Sequence, residues 1–199
     1  MTEKTTKYKA ILAHEQALAK TVALKLRAQR PQATWQLFVP FRFIAEFFSA
    51  KRDMQAFAEG FTFVRKIALD SARWMAGSEE LQERTADMEI GIRKWLTSRD
   101  AYSDEMLEAQ VSIAGLLLEH YSRLLEAEGD SYPALLRNAY QGRPAVHELW
   151  LRKLTEAENE ADRALVSILG GDEELATEMQ QKQAALYDLR TREIREVFA

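Results

Sequence analysis

The chain contains no cysteine, so disulfides, thiolate nucleophiles and cysteine-ligated metals are excluded, and a reducing compartment suits it. Proline and glycine are scarce, at four and eight residues, and they stand singly where helix punctuation belongs. There is no fixed-period repeat, no low-complexity segment, and no alternating run flanked by a hairpin turn. Long hydrophobic runs are missing too. The longest, WQLFVPFRFIAEFF from Trp35 to Phe48, covers about fourteen residues where a helical span needs roughly twenty, and it carries Arg42 and Glu46. The N-terminal stretch MTEKTTKYKAILAHEQ is polar and lacks the apolar centre of a secretion signal. A cytoplasmic protein without a membrane span is the expectation.

Sequence signatures of chemistry are absent as well. No GxGxxG or GxxxxGKS/T occurs to cradle a phosphate, and no GxSxG presents a nucleophilic serine. No cofactor and no metal is therefore expected.

What remains reads at helical period. Tyr8, Ile11, Leu12, Leu18, Ala19, Val22 and Leu26 form one stripe from about Thr5 to Gln29, which Pro31 ends. Pro40 suits the first turn of a helix to about Lys51. From Asp53 to Ala76, Met54, Phe57, Phe61, Phe63, Val64, Ile67, Leu69, Ala72, Trp74 and Met75 cover about two-thirds of the circumference. A surface helix has a narrower stripe, so this one should be wrapped by neighbours, with Gly60 where one approaches closely. Phe57, Phe61, Val64 and Ala68 should be nearly fully buried, and eight of the nine phenylalanines lie between Phe38 and Phe63. Helices follow at about 78–97, 103–128 (Ser103 its cap, Asp104 and Glu105 in its first turn), 133–140, 144–169 and 172–198. Val146, Leu149, Trp150, Leu154, Leu165 and Ile168 should face inward from the penultimate one. The sum is an all-α, single-domain bundle of about seven or eight helices with the helix near 53–76 at its centre. Residues 129–144, a short helix between loops, are where the single domain 1–199 would subdivide.

Charge is uneven. Residues 1–75 hold 13 Lys and Arg against 6 Asp and Glu, whereas residues 76–199 hold 14 against 25. Two charged residues stand on apolar faces: Glu15 between Leu12 and Leu18, and Arg65 between Phe61 and Leu69. A lone buried charge costs several kcal/mol, so Glu15 and Arg65 should meet each other, or Arg65 should meet Glu46. Such a polar spot among aromatic residues is also the composition of a small-ligand site.

His14, His120 and His147 each adjoin a glutamate, but neighbouring helical residues point about 100° apart and cannot chelate one ion together. The Glu-x-x-His spacing of helical di-metal sites fails, because Ile11, Leu117 and Pro144 stand three residues before them. HExxH fails too, since Leu18 and Leu151 stand four residues after His14 and His147. Boundary histidines with a backbone or carboxylate partner are expected, with a site assembled from all three as the alternative. An all-α chain of this length with a histidine near the start of its first helix resembles haem oxygenase-like proteins, where that histidine ligates haem. The resemblance covers His14 and the helix count. The glycine-rich distal helix has no counterpart, as IAGLLLEH holds one glycine, and haem is not expected.

Three functions stay open. The first is a non-enzymatic adaptor, regulator or assembly factor that binds a protein, its sparsely apolar last helix, 172–198, completing its core with a partner or a second copy. The second is nucleic-acid binding by the basic N-terminal third, through Lys7, Lys9, Lys20, Lys25, Arg27 and Arg30, extended by Lys51, Arg52, Lys66 and Arg73. The third is a small-ligand binder or enzyme built on Glu15, Glu46, Arg65 and the histidines.

Overall fold

The computed structural model describes residues 3–29, 58–75, 81–99, 101–168, 170 and 173–199. Seven helices and no strand occur among them, so the chain is an all-α bundle. The expected helix from Pro40 to Lys51, and Phe57, lie outside the described residues.

Helix α1 (Glu3–Gln29) buries Ile11, Glu15, Ala19 and Val22 on one face. Helix α2 (58–74) buries Val64, Arg65, Ala68, Leu69 and Ala72. Its buried face is narrower than the sequence suggests. Phe61 is half-buried and Trp74 is 66% exposed, because α2's buried face is already met by Val64, Ala68, Leu69 and Ala72. Helix α3 (Leu81–Ser98) lies along α2, with Trp95 stacked on Phe63 at 4.6 Å between ring centroids. The close approach here is at Gly91, where a Cβ would come within 2.6 Å of Ile67 Cδ1. At Gly60 the nearest described atom would be 3.9 Å away, on Trp95.

Helix α4 (Asp104–Glu126) begins as its sequence dictates: the Met106 N–H donates to Ser103 Oγ at 3.0 Å, and Asp104 and Glu105 sit at the positive end of the helix dipole. It buries eleven side chains and packs against α1, α3, α5 and α6. Helix α5 (Tyr132–Ala139) has Pro133 in its first turn and ends where Gln141 and Gly142 adopt positive φ, the Gly142 N–H returning to the Arg137 carbonyl at 2.8 Å.

Helix α6 (Pro144–Ile168) is rotated from the expected orientation. Val146 and Leu149 are exposed, while His147, Leu151, Leu154, Glu158, Ala161 and Asp162 face inward. The apolar stripe alone misplaces this face because its polar members have partners inside. Helix α7 (Glu173–Phe198) packs on α1, α5 and α6 and buries Ala185, Leu186, Arg190 and Val197. Its apolar residues are few because it brings a charge to the interior. One cluster of buried apolar side chains draws on all seven helices. No helix among the described residues is long and apolar enough to cross a membrane.

Candidate functional site

Four buried charges from four helices meet at the centre. Arg65 Nε lies 3.0 Å from Glu15 Oε2, and Arg65 Nη2 donates to Glu158 Oε1 at 2.6 Å. Arg190 grips the same carboxylate from the other side, Nη1 to Oε2 at 2.8 Å and Nη2 to Oε1 at 2.9 Å, the paired geometry in which guanidinium and carboxylate bind most strongly. All four side chains are buried: Glu15 and Arg65 are 6% and 5% exposed. The remaining polar atoms are largely engaged. The Tyr121 hydroxyl donates to Glu15 Oε1 at 2.7 Å, Arg65 Nη1 to the Phe61 carbonyl at 3.1 Å, and Arg190 Nη1 to Thr155 Oγ1 at 3.1 Å. The Arg65 guanidinium also lies 3.6 Å from the centroid of the Phe61 ring. Two acids and two bases leave the group with no net charge, which is how ions survive burial.

Electrostatics agree with that geometry. Burial alone would raise the Glu158 pKa, but Arg190 and Arg65 overcome it and hold the carboxyl down to about 2. Burial opposes the charge on Arg65, yet Glu158 and Glu15 raise its pKa further. Burial and the Glu15 carboxylate push the Tyr121 phenol well up, so it stays a neutral donor.

Beside this group lies a cavity of about 370 Å³ between α1, α4, α5, α6 and α7, and all three histidines line it together with Glu15, Arg65, Tyr132, Trp150, Arg190 and Glu193. His14 is stacked on Tyr132 at 3.5 Å and its Nε2 lies 3.0 Å from Glu193 Oε1. Burial would depress its pKa, but the hydrogen bond and charge of Glu193, with Glu15 behind, raise it. His120 is stacked on Trp150 at 3.9 Å, its Nδ1 sharing a hydrogen bond with the Tyr140 hydroxyl at 2.8 Å. Burial keeps it neutral, well below the usual histidine range, and His147 adds to the effect.

His147 is unlike the other two. It is 1% exposed and neither ring nitrogen has a hydrogen-bond partner. Burial lowers its pKa to about 4, so near neutral pH it presents one N–H and one lone pair. Glu15 Oε2, ion-paired with Arg65 but outside hydrogen-bonding alignment, also has acceptor capacity left.

The expected boundary placement of the histidines is therefore overturned for His120 and His147. Both are buried because Trp150, Tyr140 and each other's rings surround them. The three share a cavity, but no group of three or more histidine, aspartate or glutamate side chains among the described residues is arranged to hold a metal ion.

Among the other anticipated site residues, Lys20 is exposed on α1 and Arg27 falls in the last turns of the same helix. Arg30, Glu46, Lys51 and Arg52 lie outside the described residues, and with them the alternative pairing of Arg65 with Glu46. Lys7, expected on the polar side of α1, is instead buried and paired with Glu3 at 2.6 Å.

Glu158, Arg190 and Trp150 were not anticipated as site residues. A signal for two of them was present. Glu158 stands four residues after Leu154 on an apolar stripe, and Arg190 four after Leu186, the same pattern that singles out Glu15. Trp150 carries no such mark, since a tryptophan on an apolar face reads as core.

No protein-family model, no curated protein and no solved structure matches this chain.

Proposed function

We propose that this all-α protein binds a small molecule in the three-histidine cavity, with the Glu15–Arg65 pair as a polar anchor and His147 as a direct contact. One observation carries the reading: a neutral imidazole buried in the cavity wall with both nitrogens unpartnered. A buried polar group left unsatisfied costs about 1–3 kcal/mol, and such groups are few in native proteins and concentrate where something is to be bound. A cavity of about 370 Å³ falls in the size range of small-ligand sites, and its mixture of aromatic walls with a few polar groups has their composition.

Less supports a macromolecular partner. Within the described part of the basic N-terminal third, Lys25 pairs with Asp188, Lys66 with Asp70, and Arg73 with Thr5. These contacts, with the burial of Lys7, leave little of that charge gathered on one face. The sparsity of α7 no longer asks for a second copy, since Arg190 explains it.

The test is a thermal-shift screen of a fragment library against the wild-type protein and His147→Trp, which fills the cavity. A compound that binds only the folded state raises Tm by mass action. We expect hits on the wild type that His147→Trp loses. A library without hits, or hits indifferent to the substitution, would refute the proposal.

A further inference from the structure

We propose that the ligand of this cavity is an uncharged, flat heteroaromatic molecule with an N–H donor beside a ring acceptor. The inference rests on the small-molecule reading above and specifies its chemistry.

Charge comes first. The buried charges in the wall cancel: Glu15 and Arg65 face each other, Arg190 is held by Glu158, and His14 by Glu193. The two remaining charged lining residues, Arg192 and Glu196, are exposed, carry opposite signs and stand one helical turn apart on α7. A phosphate, carboxylate or ammonium group would lose its hydration on entry and find no uncompensated counter-charge. An uncharged ligand loses far less.

Shape comes next. His120 and Trp150 are stacked with their planes 16° apart, His147 lies within 17° of Trp150, and His14 and Tyr132 are 8° from parallel. The cavity is thus lined by two sets of nearly parallel rings, which favour a flat π-system by offset stacking.

Hydrogen bonding supplies the edge. Glu15 Oε2 can only accept, so the ligand must carry a donor for it. His147 is neutral and offers one donor and one acceptor, both unengaged. A ring with N–H and lone-pair nitrogen on adjacent positions can answer either nitrogen of His147 and still give a proton to a carboxylate.

The smallest probe with these properties is 7-azaindole. Its binding to the wild-type protein would be measured by isothermal titration calorimetry at pH 7.5, beside N-methyl-7-azaindole, benzoate and benzamidine. We expect one-to-one binding of 7-azaindole with a Kd of roughly millimolar or tighter. Methylation of the ring nitrogen, which removes the donor without touching the protein, should weaken it at least about tenfold. His147→Phe should weaken it similarly, and the ¹⁵N resonances of His147 should shift on binding.

If benzoate or benzamidine binds as tightly as 7-azaindole and shifts His147, the small-molecule reading stands and the ligand class is wrong. If methylation makes no difference, the donor requirement falls and the proposal with it. If 7-azaindole does not bind, the ligand class is overturned whatever the fragment screen finds.

Discussion

Arg65 is held by two carboxylates from two other helices and by the π-face of Phe61, so replacing it removes several contacts together. Arg65→Met leaves Glu15 and Glu158 facing each other across an apolar side chain. Breaking a buried ion pair from one side costs about 3–5 kcal/mol, and that loss should appear in urea unfolding. The triple replacement Glu15→Gln, Arg65→Met, Glu158→Gln removes the stranded charges and should recover much of it. Coupling between Arg65 and each glutamate would show as non-additivity in double-mutant cycles. Strict additivity would mean that the contacts contribute nothing to stability.

His147 predicts a pH dependence. Its folded pKa of about 4 is below the unfolded value of 6.5, so between these values the unfolded chain binds the proton and the folded one does not. Stability is therefore complete above pH 6.5 and falls as the pH drops towards 4, by about 3 kcal/mol at most for this residue. His120 acts in the same direction. His14, whose pKa is raised, acts oppositely: its contribution is present below 6.5 and is lost as the pH rises through its folded value. Glu158 adds a second loss between pH 4.5 and about 2. Unfolding free energies of wild type and His147→Phe, measured from pH 7 to 4, should converge as the pH falls. Parallel curves would show that His147 is not held neutral.

Among the elements, two glycines in helix interiors make opposite demands. A methyl group at Gly115 in α4 would meet no described atom within 4 Å, whereas one at Gly91 in α3 would come within 2.6 Å of Ile67. Gly115→Ala should raise stability by up to about 1 kcal/mol through helix propensity. Gly91→Val should lower it by about 1–3 kcal/mol, since overpacking forces α3 away from α2. Chemical denaturation of the two variants compares them directly. Equal effects would mean that Gly91 is not where the two helices approach most closely.

The elements also show how far the pattern of apolar residues can be read. Helix limits came out near the observed ones for α1, α4, α5, α6 and α7, because prolines, glycines and the Ser103 cap act locally. Orientation about the axis was harder. Periodicity turns α6 towards Leu149, which is exposed, because it treats His147, Glu158 and Asp162 as outward residues. Where polar side chains find partners inside, hydropathy alone points the helix the wrong way. The Arg65–Glu15 contact was legible for the converse reason. Each was a single charge on an otherwise apolar stripe, and isolated buried charges are too costly to remain unpaired.

Across the whole molecule, apolar contacts pass through every described helix without a break, and the charge group joins α1, α2, α6 and α7 at one point. We expect one cooperative unfolding transition, with fluorescence and circular dichroism coincident in urea. Two separate transitions would instead divide the chain, residues 129–144 being where its sequence is weakest.

Taken alone, the sequence determined the helical class, most helix boundaries, the need for compensation at Glu15 and Arg65, and the lack of the common catalytic motifs. These follow from local propensities and from the energetic cost of single groups, which need no knowledge of neighbours. Only the tertiary structure decided that Glu158 and Arg190 complete the charge group, that α6 turns His147 inward, and that three histidines from α1, α4 and α6 line one cavity. Those facts depend on which helix faces lie against each other. That choice is made by the packing of the whole chain, where a polar residue is tolerated inside once another helix brings its partner.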